Sequence, residues 1–151
     1  MRPRRLAWLL VLCLPACGTI DPGDNFIPPD RMLDEDFFFC EIQPAVISAR
    51  SCASGEAGEG GDCHSSRSAL RLSAMAEMDA PPSCVDGRAV GPVPPSYEDN
   101  LEAVRFTVQS DPLSSPLYRR PLGLDSHPRV IFDAASPEAT LIVQWIESGG
   151  P

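Results

Sequence analysis

The sequence predicts a mainly α domain with long loops. The closing segment places Leu141, Ile142, Trp145 and Ile146 at helical spacing. An earlier segment does the same with Leu101, Val104 and Val108. The stretches between such segments are rich in Pro, Gly, Ser and Asp, and strand-like alternation is nearly absent.

Taken from the N-terminus, Arg2, Arg4 and Arg5 precede an apolar run from Leu6 to Leu14, followed by Pro15-Ala16 and Cys17. Charge, then apolar, then small residues is the layout of a secretory signal over residues 1–16. Nine apolar residues are too few for a spanning helix, which needs roughly 20. Leu14-Pro15-Ala16-Cys17 resembles a bacterial lipobox, which implies a lipid on the Cys17 sulfur and anchorage to a bacterial membrane on its periplasmic or outer-membrane face. Residues 17–36, with Pro, Gly and Asp and no periodicity, read as a disordered tether, and the folded domain is expected over residues 37–151.

Phe37-Phe38-Phe39 opens that domain, and Pro44 to Arg50 reads as a helix with proline in its first turn and Val46 and Ile47 facing the core. Residues 53–62 form a Gly-rich insertion between Cys52 and Cys63 that holds nothing able to build a core. Ser65 to Met78 reads as a helix or an irregular segment carrying Leu70, Leu72, Met75 and Met78. Residues 79–95 hold five prolines and read as loop. Ser96 suits an N-cap with Asp99 in a capping-box position, opening the helix of Leu101, Val104 and Val108. A short helix follows around Ser115 to Arg120, then an extended segment from Pro121 to Phe132 containing His127-Pro128. The last helix has Ser136 to cap it, Pro137 in its first position, Glu138 against the positive end of its dipole and Gly149-Gly150 to stop it.

Composition narrows the function. The basic side chains are 12 arginines, of which Arg2, Arg4 and Arg5 would leave with the signal. The mature chain then carries 9 basic against 21 acidic side chains, a formal charge of −12. Such a surface repels nucleic acid and gains nothing from anionic lipid, so membrane affinity falls to the lipid on Cys17. No nucleophile sits at a recognisable spacing from a base, and no phosphate loop or histidine-rich metal helix is present, so the sequence names no residues for an enzyme. Beyond Cys13 and Cys17 remain Cys40, Cys52, Cys63 and Cys84. Four cysteines in an oxidising compartment suggest two disulfides, and three pairings are possible.

Cys63-His64 is the pair that suggests further chemistry, because a histidine directly after a thioether cysteine can rise beneath a haem iron. Around it lie Ile42, Pro44, Val46 and Ile47 running into Cys52, then Leu70-Arg71-Leu72-Ser73, Ser115 to Gly123 with His127 downstream, and Leu141 to Pro151 with its Trp145-Ile146. In this order, over about residues 37–151, they resemble the cytochrome-c-like modules of bacterial lipoproteins and planctomycete-type cytochromes. The resemblance implies a small helical cytochrome-c-like domain with covalent haem c on Cys52 and Cys63. His64 would be the proximal iron ligand and His127 the distal one, with Met75 and Met78 as fallbacks. It implies electron transfer outside the cytoplasm, with other redox proteins as partners. The spacer between Cys52 and Cys63 is ten residues rather than the usual two. The competing expectation is therefore a haemless structural or interaction lipoprotein of the same fold, closed by Cys52–Cys63 and Cys40–Cys84 disulfides. A third expectation is a metal centre built from Cys63, His64 and His127.

Overall fold

The computed structural model describes residues 32–55, 63–66 and 68–149. The signal, the lipobox with Cys17, most of the tether, most of the Gly-rich insertion and Gly150 lie outside the described residues. Among the described residues no helix is long and apolar enough to cross a membrane.

The packed structure starts ahead of Phe37. Leu33 is buried, and Asp34 accepts the Phe37 N–H on its side chain at 3.0 Å and the Trp145 indole N–H on its carbonyl at 2.7 Å. Asp34 thereby caps helix α1 (Glu35–Phe37) and pins the closing helix to it. From Phe38 to Ser48 the same helix continues in π winding. The helix therefore begins well before Pro44, which lies inside it rather than in a first turn. Pro44 has no N–H to donate, and in an α-helix its ring would press on the carbonyl four residues back. The wider π turn relieves that contact. Phe38, Ile42, Val46 and Ile47 form its buried side.

After the bend at Cys52 come α2 (Cys63–Ser66) and a 3-10 turn (Ala74–Glu77), so Ser65 to Met78 is mostly irregular. Residues 79–95, expected as loop, contain a hairpin: β1 (Ser83–Val85) pairs antiparallel with β2 (Arg88–Val90) in the register Cys84 opposite Ala89. The link is Asp86-Gly87, with φ of +50° and +75°, the left-handed pair that a two-residue hairpin turn requires. A Cys40–Cys84 disulfide and an Ala89 N–H donated to the Asp36 carboxylate at 3.2 Å hold this hairpin to the first helix.

Helix α3 (Pro95–Arg105) begins on Pro94 and Pro95, and Ser96 does not cap it. The Ser96 hydroxyl donates instead to Asp79 at 2.6 Å. Its inner side matches expectation, with Leu101 and Val104 buried and Val108 buried just beyond the helix end. A 3-10 turn (Pro112–Ser114) and α4 (Pro116–Arg119) follow. Pro121 to Phe132 is not extended. The Ile131 N–H donates to the Pro121 carbonyl at 2.8 Å and closes it into a loop of turns, inside which Gly123 (φ +71°) lies so close to Val130 that a Cβ would stand 2.8 Å from its Cγ2.

Helix α5 (Pro137–Ser148) has the expected Ser136 cap, which accepts the Ala139 N–H at 3.3 Å, and it packs chiefly on the π segment. Trp145 is fully buried with its ring centroid 5.2 Å from that of Phe38. The architecture thus corrects the mainly α, cytochrome-c-like helical expectation: it is a small mixed fold of short α-helices, a π segment, 3-10 turns and a two-stranded sheet. Proline density and a hairpin fastened by a disulfide limit helix length.

One polar chain crosses the core. Asn100 accepts the Ser73 N–H at 2.6 Å and donates to Gln43 at 3.0 Å; Gln43 donates to Ser48 at 3.0 Å, and Ser48 donates to the Ala76 carbonyl at 3.0 Å. Gln43 and Asn100 are fully buried. The chain ties the π segment, α3 and the Ala74–Glu77 turn into one unit.

Candidate functional site

A cleft opens between the π segment, α2, α3, α4, α5 and the closed loop of residues 121–131. It holds about 580 Å³ of empty space, its open mouth included. Val46, Ile47, Leu72, Val104, Phe132 and Ile142 make its walls apolar, and Cys52, His64, Arg120 and His127 are the reactive or charged side chains on it. An apolar wall with a few convergent polar groups is the usual character of a ligand pocket.

The two histidines reach the cleft by different routes. The His64 N–H donates to the carbonyls of Cys52 at 3.2 Å and Ala53 at 3.1 Å, and the Leu72 N–H donates to the His64 carbonyl at 2.9 Å. These bonds seat α2 on the bend that carries Cys52, so the ten-residue spacer does not separate the two segments. His127 is carried by the loop closed between Pro121 and Ile131.

Hydrogen bonds define both imidazoles. The Ser68 hydroxyl donates to the Leu70 carbonyl at 2.6 Å, so it accepts from His64 Nδ1 at 2.7 Å. His127 Nδ1 faces the Arg129 carbonyl at 2.6 Å, which can only accept. In each neutral ring the proton therefore sits on Nδ1 and the lone pair on Nε2, the tautomer that suits a metal-binding histidine with an outer hydrogen-bond partner. The ring centroids are 6.1 Å apart with planes 20° from parallel. Burial lowers the His64 pKa, and the neighbouring His127 and Arg120 lower it further against the opposing effect of the Leu70 backbone contact. The shift favours the neutral form of His64.

Cys52 and Cys63 are both free thiols, so the Cys52–Cys63 disulfide of the haemless expectation is not formed, whereas Cys40–Cys84 is. Burial pushes the Cys52 thiol up to about 12, the Glu77 carboxylate adds to this, and Arg129 works against it. The Cys63 sulfur rests on Gly55, where a Cβ would lie 2.8 Å from it and where φ is +79°, so both the backbone angle and the close approach require glycine.

Other expectations fall away. Met75 and Met78 are 54% and 73% exposed and lie off the cleft, so neither fallback ligand is in place. Among the described residues no group of three His, Cys, Asp or Glu converges as a metal site, so the Cys63–His64–His127 centre is not built. Two imidazoles that keep Nε2 free, with the Cys52 thiol beside them, are donors that could hold a haem iron and its macrocycle. Ser68, the Arg129 carbonyl and Glu77 also shape the site, and no motif in the sequence marks them. No protein-family model, no curated protein and no solved structure matches the chain.

Proposed function

We propose that this domain carries one haem c in the cleft and exchanges electrons with redox proteins outside the cytoplasm, held at a membrane by a lipid on Cys17. The observation that carries the reading is the His64–His127 pair: ring centres 6.1 Å apart, with each Nδ1 engaged elsewhere. In this reading His64 and His127 would hold the iron, and Cys52 from the cleft wall and Cys63 from beside the cleft on Gly55 would attach the macrocycle. The haem would supply one-electron exchange. The protein's part is to favour the neutral form of His64, orient both rings through Ser68 and the Arg129 carbonyl, and exclude water with Ile47, Val104, Phe132 and Ile142. Arg120 at the cleft edge supplies positive charge in an otherwise acidic chain, suited to a carboxylate of the ligand. Holding the iron by His64 and His127 would give a lower reduction potential than a histidine–methionine pair. The competing haemless reading draws on the Cys40–Cys84 bridge, but it leaves two thiols and two oriented imidazoles without a role.

The test is expression with export and a haem-attachment system. The purified protein is expected to show c-haem absorption and to keep haem peroxidase staining after denaturation. A colourless product that binds no added haem would falsify the reading.

A further inference from the structure

The Cys52–Gly55 bend holds its conformation although it is followed by a long insertion. Ser51 takes a left-handed φ of +48° and Gly55 one of +79°. Between them, Glu77 reaches across from the 3-10 turn. One carboxylate oxygen accepts the Ala53 N–H at 2.9 Å and the Ser54 N–H at 3.2 Å, and the other accepts the Ser54 hydroxyl. Three donors from the two residues after Cys52 thus converge on one half-buried side chain. The turn that presents Glu77 is itself anchored, because the Ala76 carbonyl accepts from Ser48 at the end of the π segment.

We infer that Glu77 is a positioning residue that braces the bend carrying Cys52 at the cleft, adding side-chain bonds at Ala53 and Ser54 to the backbone bonds that keep Cys52 beside Cys63-His64 across the ten-residue spacer. Its purpose rests on the haem reading: without the brace the bend would loosen and present the Cys52 thiol to the ligand less often. A short spacer restricts both sulfurs by chain length alone. A spacer of ten residues leaves that task to contacts from elsewhere in the fold.

Two measurements on the full chain separate this inference from the reading beneath it. In haem-free protein, amide hydrogen exchange at Ala53 and Ser54 should quicken about tenfold or more in Glu77→Ala, since charge-assisted bonds to both amides are lost. Exchange in α5 should not change. Glu77→Gln keeps one acceptor oxygen for the two amides and should stay close to wild type. In haem-loaded protein, mass mapping should find thioethers at both Cys52 and Cys63 in wild type and in Glu77→Gln, and a clearly smaller share of doubly attached chains in Glu77→Ala. Unchanged exchange in Glu77→Ala, or a wild-type share of doubly attached chains despite faster exchange, would overturn the role of Glu77 while leaving the haem reading intact. A wild-type chain that takes up no haem overturns the haem reading instead, and exchange alone then decides whether Glu77 holds the bend.

Discussion

His64 and His127, 63 positions apart in the chain, face one cleft with ring centroids 6.1 Å apart and planes 20° from parallel. Neither ring can turn freely, because Nδ1 of each is held at 2.6 to 2.7 Å by a partner on its own segment. His127→Met is therefore a direct probe of the pairing. In haem-loaded protein it should raise the reduction potential, since thioether ligation favours the reduced iron. His127→Ala should lose the low-spin absorption of a six-coordinate iron. A potential and spectrum unchanged in both variants would remove His127 from the site.

The Cys40–Cys84 bridge spans 44 positions and fastens a hairpin that has almost no buried side chains of its own. Replacing both cysteines by serine should cost about 2–4 kcal/mol, mainly by freeing the unfolded chain. Urea unfolding under non-reducing conditions measures it. A loss below 1 kcal/mol would mean that the Asp36–Ala89 contact and the turn suffice to hold the hairpin.

Asn100 sits at the crossing of the buried polar chain, between the Ser73 amide and Gln43. Asn100→Leu would strand the Gln43 carbonyl and the Ser73 N–H in an apolar surrounding, at about 1–3 kcal/mol for each group left unpaired. A fall in stability of about 2–4 kcal/mol is expected from chemical unfolding. An unchanged midpoint would show that the two groups find other partners.

How far the sequence anticipated all this depends on how local each cause is. Helix α5 was legible because Ser136, Pro137 and the apolar positions through Ile146 act on one another within a few residues. Helix α3 was legible on its inner side but not at its start, since Ser96 bonds to Asp79, 17 positions away. The hairpin carried one local sign, Asp86-Gly87, hidden among prolines and flanked by strands of three residues, too short to show alternation. The start of the first helix is not legible, because a proline such as Pro44 signals a first turn locally, whereas here it lies inside the π segment. At the site, Cys63-His64 stood out as adjacent residues. Their closeness to Cys52 depends on backbone bonds across the insertion, and the meeting with His127 depends on a closed loop, neither of which has a spacing to read.

The Arg50–Glu138 ion pair joins the end of the first helix to the start of α5, and it makes acid stability predictable in sign. The Glu138 carboxyl is held below its ordinary value of 4.5, chiefly by its backbone N–H at the helix start; burial opposes this, and Arg50 and then Ser136 lower it further. A depressed carboxyl binds fewer protons folded than unfolded, so its contribution is complete above about pH 4.5 and is lost as pH falls through the lower folded value. Thermal midpoints measured from pH 7 down to pH 3 should fall less steeply below pH 4.5 in Glu138→Gln than in wild type. The same variant should be less stable than wild type at pH 7, where the charge is fully present. Parallel pH profiles for the two proteins would show that other carboxylates govern unfolding in acid and that the Arg50–Glu138 contact does not couple the two helices.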